Sequence, residues 1–163
     1  MKAGQTKNQS PSSLQIRSAE PEDALLLWQW ANDPQVRLQS LHPEPIALET
    51  HLHWYAAKLL SPLTRIWVVC LADEPVGQIR YDVIAPTVAE IDYSVSLAHR
   101  GKGIGSAMVR ETYAPACASL LLTEVRAVVR TSNPASARAF EKAGFQRIGA
   151  IVQNGYDCIV YAR

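Results

Sequence analysis

The segment His99-Arg100-Gly101-Lys102-Gly103-Ile104-Gly105 sets glycines and two cations ahead of a stretch with helical period. Glycine leaves backbone N–H groups uncovered, and a helix starting here adds unpaired donors and the positive end of its dipole. Such a junction can cradle phosphate oxygens, with Arg100 and Lys102 adding mobile positive charge. The same string also serves as a tight turn into a helix, so taken alone it leaves both readings open. Two nucleotide loops are excluded. A Walker A loop ends in Gly-Lys-Ser/Thr, and a Rossmann loop follows the first strand of a βαβ unit; this segment does neither.

A second candidate group lies in Asn133-Pro134-Ala135-Ser136-Ala137-Arg138-Ala139-Phe140-Glu141-Lys142-Ala143-Gly144-Phe145. Asn133 suits an N-cap, Pro134 the first helical position and Gly144 the end, while Ser136 and Arg138 also fit as solvated helix residues. A third group is set by alternation. Ile79, Tyr81, Val83, Ile91, Tyr93 and Val95 share one face of a strand pair; Gln78, Arg80, Asp82, Glu90, Asp92 and Ser94 share the other. A turn near Ala85 and Pro86 brings Arg80 opposite or diagonal to Asp92 and Glu90, which predicts an ion-paired ladder. The polar row fits either a solvated face or the lining of a cleft. His51 and His53, two apart on a helix, point to different faces and cannot pair on a metal. His51 is a candidate for the cleft, and His53 for solvent.

The elements that must position these groups read as follows. Leu14 to Ser18 is a strand, and a helix from Pro21 runs through Trp30 until Asn32-Asp33-Pro34 stops it. A second helix covers roughly Leu48 to Leu60. The period then changes to two: strands at Arg65 to Ala72, Val76 to Ile84 and Val88 to Leu97 form a meander with turns at Asp73-Glu74-Pro75 and Ala85-Pro86-Thr87. A helix from about Gly103 to Ala114 is ended or kinked by Pro115. Glu124 to Arg130 is a strand, Asn133 to Ala143 a helix, and two strands near Phe145 to Ile151 and Asp157 to Tyr161 flank the turn Asn154-Gly155.

The chain has 163 residues, enough for one domain with a real core. Its 16 basic side chains nearly cancel 15 acidic ones, so charge predicts no nucleic-acid or membrane partner. No apolar run is long enough to span a bilayer. Cys70, Cys117 and Cys158 sit far apart in apolar runs, which predicts core thiols in a reducing, cytoplasmic compartment. Met1 to Ser13 is polar, lacks the apolar stretch of a signal peptide and is expected to be a disordered tail.

Together the glycine and asparagine motifs resemble the GNAT acetyltransferase superfamily. Its cofactor motif is Gln/Arg-x-x-Gly-x-Gly/Ala, and its later motif Asn-x-x-Ser/Ala…Tyr/Phe-Glu-Lys-x-Gly-Phe. Residue types, spacing and element order match over roughly Leu14 to Arg163. The resemblance implies an α/β fold with a central, mostly antiparallel mixed sheet and helices on both faces, as one N-acetyltransferase domain over 14–163. It implies acetyl-CoA as co-substrate, with no metal. The backbone of Arg100, Gly101, Lys102, Gly103, Ile104 and Gly105 would hold the pyrophosphate, and Val95 and Leu97 would pair with the pantetheine arm. Asn133 and Ser136 would face that arm, and Arg138 would reach a phosphate.

The strings Trp30-Ala-Asn32-Asp33-Pro34-Gln-Val36-Arg37, His51-Leu-His-Trp54, Gly77-Gln78-Ile-Arg80-Tyr-Asp82 and Glu90-Ile-Asp92 resemble the pseudaminic-acid-pathway N-acetyltransferases. That likeness implies a primary amine on a nucleotide-linked 4-amino sugar as acceptor, bound by Trp30, Asn32, Arg37, His51, Gln78, Arg80 and Asp82. Of Trp28, Trp30 and Trp54, one or two at most are expected to touch substrate.

Acetyl transfer needs a neutral amine, a donor to the developing oxyanion and a proton for the departing thiolate. The strand ending at Val95 can supply the N–H. Glu90 or Asp92 would take the amine proton if the cleft raises its pKa, whereas pairing with Arg80 would lower it. Relatives often carry a Tyr proton donor where this chain has Phe140, which leaves water, Ser136, Tyr156 or a tyrosine placed elsewhere in the chain. Two rivals stand beside this reading: acetylation of a protein N-terminus of the ribosomal-protein type, and a non-catalytic CoA-binding module. The oligomeric state is left open, a homodimer being one form it allows.

Overall fold

The structure, a computed structural model, describes residues 14–163. The expected tail, Met1–Ser13, lies outside the described residues. The chain forms β1 (Leu14–Ser18), α1 (Ala24–Ala31), α2 (Pro34–Gln39), α3 (Leu48–Leu60), β2 (Thr64–Leu71), β3 (Glu74–Ala85) and β4 (Val88–Val95). There follow α4 (Ile104–Leu120), β5 (Glu124–Arg130), α5 (Pro134–Lys142), β6 (Gln146–Gln153) and β7 (Tyr156–Ala162).

Local chemistry explains where these elements depart from the sequence reading. Pro34 does stop α1, yet it also opens α2, because the first turn of a helix has no use for the N–H that proline lacks. The Asp33 carboxylate caps α2 by accepting from Gln35 N at 3.0 Å and Val36 N at 3.2 Å. Helix α4 does not end at Ala114 but runs past the exposed Pro115 to Leu120, because Ala116 is fully buried in the core beneath it. The β2–β3 turn falls on Ala72 and Asp73, both at positive φ, with Leu71 paired to Glu74. Strand β3 therefore starts two residues before Val76. Asn154 and Gly155 likewise both take positive φ, the geometry a two-residue Asn-Gly hairpin requires.

The strands form one seven-stranded sheet in the order β1-β2-β3-β4-β5-β7-β6, antiparallel everywhere except the β4–β5 pair. Helices cover both faces. On one, Ala24 and Leu27 of α1 and Tyr55 of α3 pack with Ile66, Val68 and Cys70 of β2. On the other, Ile104, Met108 and Val109 of α4 and Phe140 of α5 pack on Ile79, Tyr81, Ile91 and Val125. Gly77 is needed for this second layer, since a Cβ there would lie 2.9 Å from the Met108 sulfur.

Candidate active site

A break in the sheet organises the site. Strands β4 and β5 pair only at Val88↔Glu124, Ala89↔Val125 and Glu90↔Arg126, and then part. Ser96 N–H bonds the Val76 carbonyl, so even-numbered positions of β4 direct their backbone to β3 and odd-numbered ones away from it. Beyond the last pair, the backbone of Tyr93 and the Val95 N–H face an open wedge. Its apex is Glu90, and its mouth lies between the ends of β4 and β5.

The glycine loop stands at that mouth. Gly101 and Gly103 hold φ of +74° and +77°, a region that favours glycine, and nothing lies within 4 Å of where either Cβ would be. Gly103 opens α4 with no side-chain cap and no acid in the first turn. The first N–H groups of a 17-residue helix are thus left for an outside acceptor, and the dipole favours an anion there. By contrast, α2 and α5 are capped by their own Asp33 and Asn133. These features fit a pyrophosphate, and the wedge behind them fits an extended arm with amide groups.

Arg100 is not the mobile cation the sequence suggests. Its Nε donates to the Val95 carbonyl at 2.9 Å, and its Nη1 reaches both Gln35 Oε1 and Asp33 Oδ1 at 3.0 Å. Lys102 is exposed, with its Nζ on the Ala98 carbonyl at 2.9 Å. Leu97 is not a strand residue. The 3-10 turn Leu97–His99 carries it out to solvent, which leaves Val95, paired with Gly77, as the last strand position.

Helix α2 straps the mouth from one side to the other. At the β4 side it is held by Arg100. At the β5 side, Arg130 Nη1 donates to the Leu38 and Ser40 carbonyls at 2.6 and 3.2 Å, and Gln39 bonds Ser132. The Arg130 guanidinium also lies 3.7 Å from the centre of the Tyr156 ring, placing that phenol at the mouth. Asn133 Oδ1 accepts from Ser136 N at 3.1 Å, so its cap role is real, and its amide nitrogen remains a donor. Ser136 and Phe140 share the inner side of α5; Arg138, exposed and two residues from each, lies on the outer side.

The polar row lies beneath α3 and is not an open solvated face. Arg80 faces Asp92 across the strands, as expected, but at 3.7 Å; its tight partner is Asp82 of its own strand at 2.6 Å. Asp82 also accepts from Lys58 Nζ at 2.6 Å and Thr64 Oγ1 at 2.8 Å. Burial works against the Asp82 charge, but Arg80, Lys58 and Thr64 outweigh it and hold the carboxyl below the ordinary range. Trp54 closes the network from above, 4.9 Å from the Arg80 guanidinium. Glu90 makes no ion pair with Arg80. Burial, then repulsion from Asp92 and Asp82, pushes its carboxyl up against the pull of Arg80. Gln78 bonds Ser94 weakly at 3.4 Å.

Several expected acceptor ligands are engaged in holding the fold. His51 is buried, with Nε2 on the Ala24 carbonyl at 2.9 Å and its ring stacked on Tyr55, so it ties α3 to α1 instead of lining the cleft. Asn32 clamps Ile46 through both amide atoms and also donates to Trp28 O. Arg37 is drawn onto the Ala31 and His42 carbonyls, and Trp30 packs on the α1–α3 core. Lys58 and Thr64 were missed by the sequence reading because neither belongs to a motif. Tyr93 was placed on the apolar face, although Gly105, where a Cβ would fall 2.9 Å from its ring, marks a close approach.

A model of the acetyltransferase (GNAT) domain family matches residues 13–146. No curated protein matches the chain. Among solved structures, the aminoglycoside acetyltransferase AAC(6')-Ib with ribostamycin and coenzyme A superposes at TM-score 0.81 and 21% identity, over 93% of each chain. Spermidine N-acetyltransferase from Vibrio cholerae, with CoA and spermine, gives 0.82 and 20%, over 92% of this chain and 94% of that one. RimL, a ribosomal L7/L12 α-N-protein acetyltransferase with CoA, gives 0.81 and 20%, over 94% and 96%. At these identities the likeness is one of fold.

Proposed function

The chain belongs to the acetyltransferase (GNAT) domain family, and on that premise we propose that it transfers acetyl from acetyl-CoA to the primary amine of a nucleotide-linked 4-amino sugar. The observation that carries the transfer reading is the wedge: a parted strand pair with an uncapped helix at its mouth and a carboxyl of raised pKa at its apex. Acetyl-CoA supplies an acyl group already activated as a thioester. Gly101 to Gly105 bind its diphosphate through backbone N–H groups, and the backbone of Tyr93 and Val95 aligns the arm and offers N–H groups to the carbonyl. Glu90 takes the amine proton, directly or through one water; its raised pKa moves it toward that of a useful base near neutral pH. Asp82, held ionised by two cations and a hydroxyl, instead fixes Arg80.

The acceptor class rests on the polar row beside α3, where Trp54, Arg80 and Asp92 offer an aromatic face, a cation and a carboxylate to a polar sugar. An N-terminal peptide would need an open groove, and the strap α2, bonded at both sides of the mouth, opposes that. The test is thiol release from acetyl-CoA with a panel of amines. Release with 4-amino nucleotide sugars and none with peptides supports the proposal. Release with peptides alone replaces the acceptor, and CoA binding without release for any amine makes the chain a binding module.

A further inference from the structure

A thiolate left behind in the wedge needs a proton, and the side chains around the wedge decide what can give it. Phe140, packed against the middle of this region, has none to give. Tyr93 stands on β4 just past the last β4–β5 pair, with its ring edge-on to Phe140 at 5.5 Å between centres. Its hydroxyl reaches toward the start of α4: a Cβ on Gly105 would lie 3.2 Å from the phenol oxygen. On the α5 side, Ser136 shares the inner side of the helix with Phe140, the ring against which Tyr93 packs. Three other core tyrosines use their hydroxyls inside the fold, Tyr55 on Glu20 O at 2.7 Å, Tyr81 with Thr112 at 2.8 Å and Tyr161 on Glu141 at 3.1 Å. Tyr93 is set apart by its place, its hydroxyl beside the opening of α4 and its backbone just beyond the last β4–β5 pair.

We propose that Tyr93 is the residue that protonates the departing sulfur, an assignment that rests on the transfer reaction above. The nitrogen–carbon bond forms and the carbon–sulfur bond breaks, its electron pair staying on sulfur. The Tyr93 O–H gives its proton to that sulfur, and the phenolate regains one from water. Glu90 passes the amine proton to water, so amine and thioester become amide and thiol with nothing left over. Burial pushes the Tyr93 phenol up, with Ser136 offsetting part of the shift, so the phenol keeps its proton through the neutral range. The same burial penalises a thiolate, which keeps the transfer matched.

Tyr93→Phe keeps the ring against Phe140 and removes only the hydroxyl. The expected result is CoA affinity by calorimetry within about two-fold of wild type, an unchanged melting temperature and a turnover lower by about 100-fold. The alkaline limb of the turnover profile should also vanish. Adding Phe140→Tyr to that variant returns a hydroxyl from the neighbouring ring, and recovered turnover supports the assignment. Full turnover in Tyr93→Phe overturns it, as does a loss of CoA affinity large enough to explain the whole defect. A wild-type protein that binds CoA and releases thiol with no amine overturns the transfer reading itself; an active wild type with an equally active Tyr93→Phe overturns only this assignment.

Discussion

On the α4 side of the wedge the useful groups are main chain: left-handed glycines, the uncapped N–H groups after Gly103 and the unpaired backbone of Tyr93 and Val95. On the α3 side they are the ends of long side chains gathered from separate elements, Trp54 and Lys58 from α3, Thr64 from β2, Arg80 and Asp82 from β3, Glu90 and Asp92 from β4. A backbone site recognises a charge and a shape that any relative can share. A side-chain site recognises one molecule, and each member can be exchanged without moving the chain. On the reading proposed above, binding of the donor and choice of acceptor can vary independently.

If that division holds, substitutions on the two sides will separate binding from turnover. The largest effect belongs to Glu90→Gln, which should lower turnover roughly 100- to 10,000-fold with CoA affinity intact. In the wild type, activity should rise with pH through the Glu90 titration, because the base works only when deprotonated, at a pH above the ordinary carboxylate range. An unchanged acid limb in the variant would assign the base elsewhere. Gly103→Val comes next. A branched side chain at φ +77° is strained, and it crowds the open space before α4, so CoA binding by calorimetry should weaken by about 100-fold while circular dichroism stays native.

Asp92→Asn is the sharper probe of the acceptor side. Removing this charge relieves the repulsion that helps raise Glu90, so the acid limb should move to lower pH, with turnover changed by less than about ten-fold. Should Asp92→Asn instead remove the limb and Glu90→Gln retain it, the two carboxylates exchange roles. The smallest effect is expected at Asn133→Ala. Loss of the α5 cap should cost about 1 kcal/mol, read as a fall of about 2–4 °C in melting temperature, with a modest loss of CoA affinity.

The same division explains what could be read in the sequence. The glycine entry to a helix at Arg100 to Gly105 was legible because a left-handed backbone leaves its mark as glycine, and the helix capped by Asn133 because caps are local. The alternation of β3 and β4 was legible too; it put Arg80 opposite or diagonal to Asp92 and Glu90, and the register pairs it with Asp92. What it could not show is that Arg80 turns along its own strand to Asp82, since Lys58 and Thr64, 24 and 18 residues away from Asp82, decide that carboxylate's place. Helix α2 was hidden for a local reason, Pro34 being both the stop of one helix and the start of the next. His51 shows the reverse error: a polar residue near the cleft in sequence is spent on the Ala24 carbonyl in space.

The parting of β4 from β5 gives the protein a sheet edge in its interior. An outer edge invites any strand from solution, and proteins guard theirs with charge or coverage. Here α2 closes the end and α4 and α5 cover one flank, so the row of unpaired amides is offered only to something thin enough to slide in as a partial strand. The fold is in that sense short of one partner, and a ligand that supplies it adds its binding free energy to stability, by about 2.7 kcal/mol at a hundred times its dissociation constant.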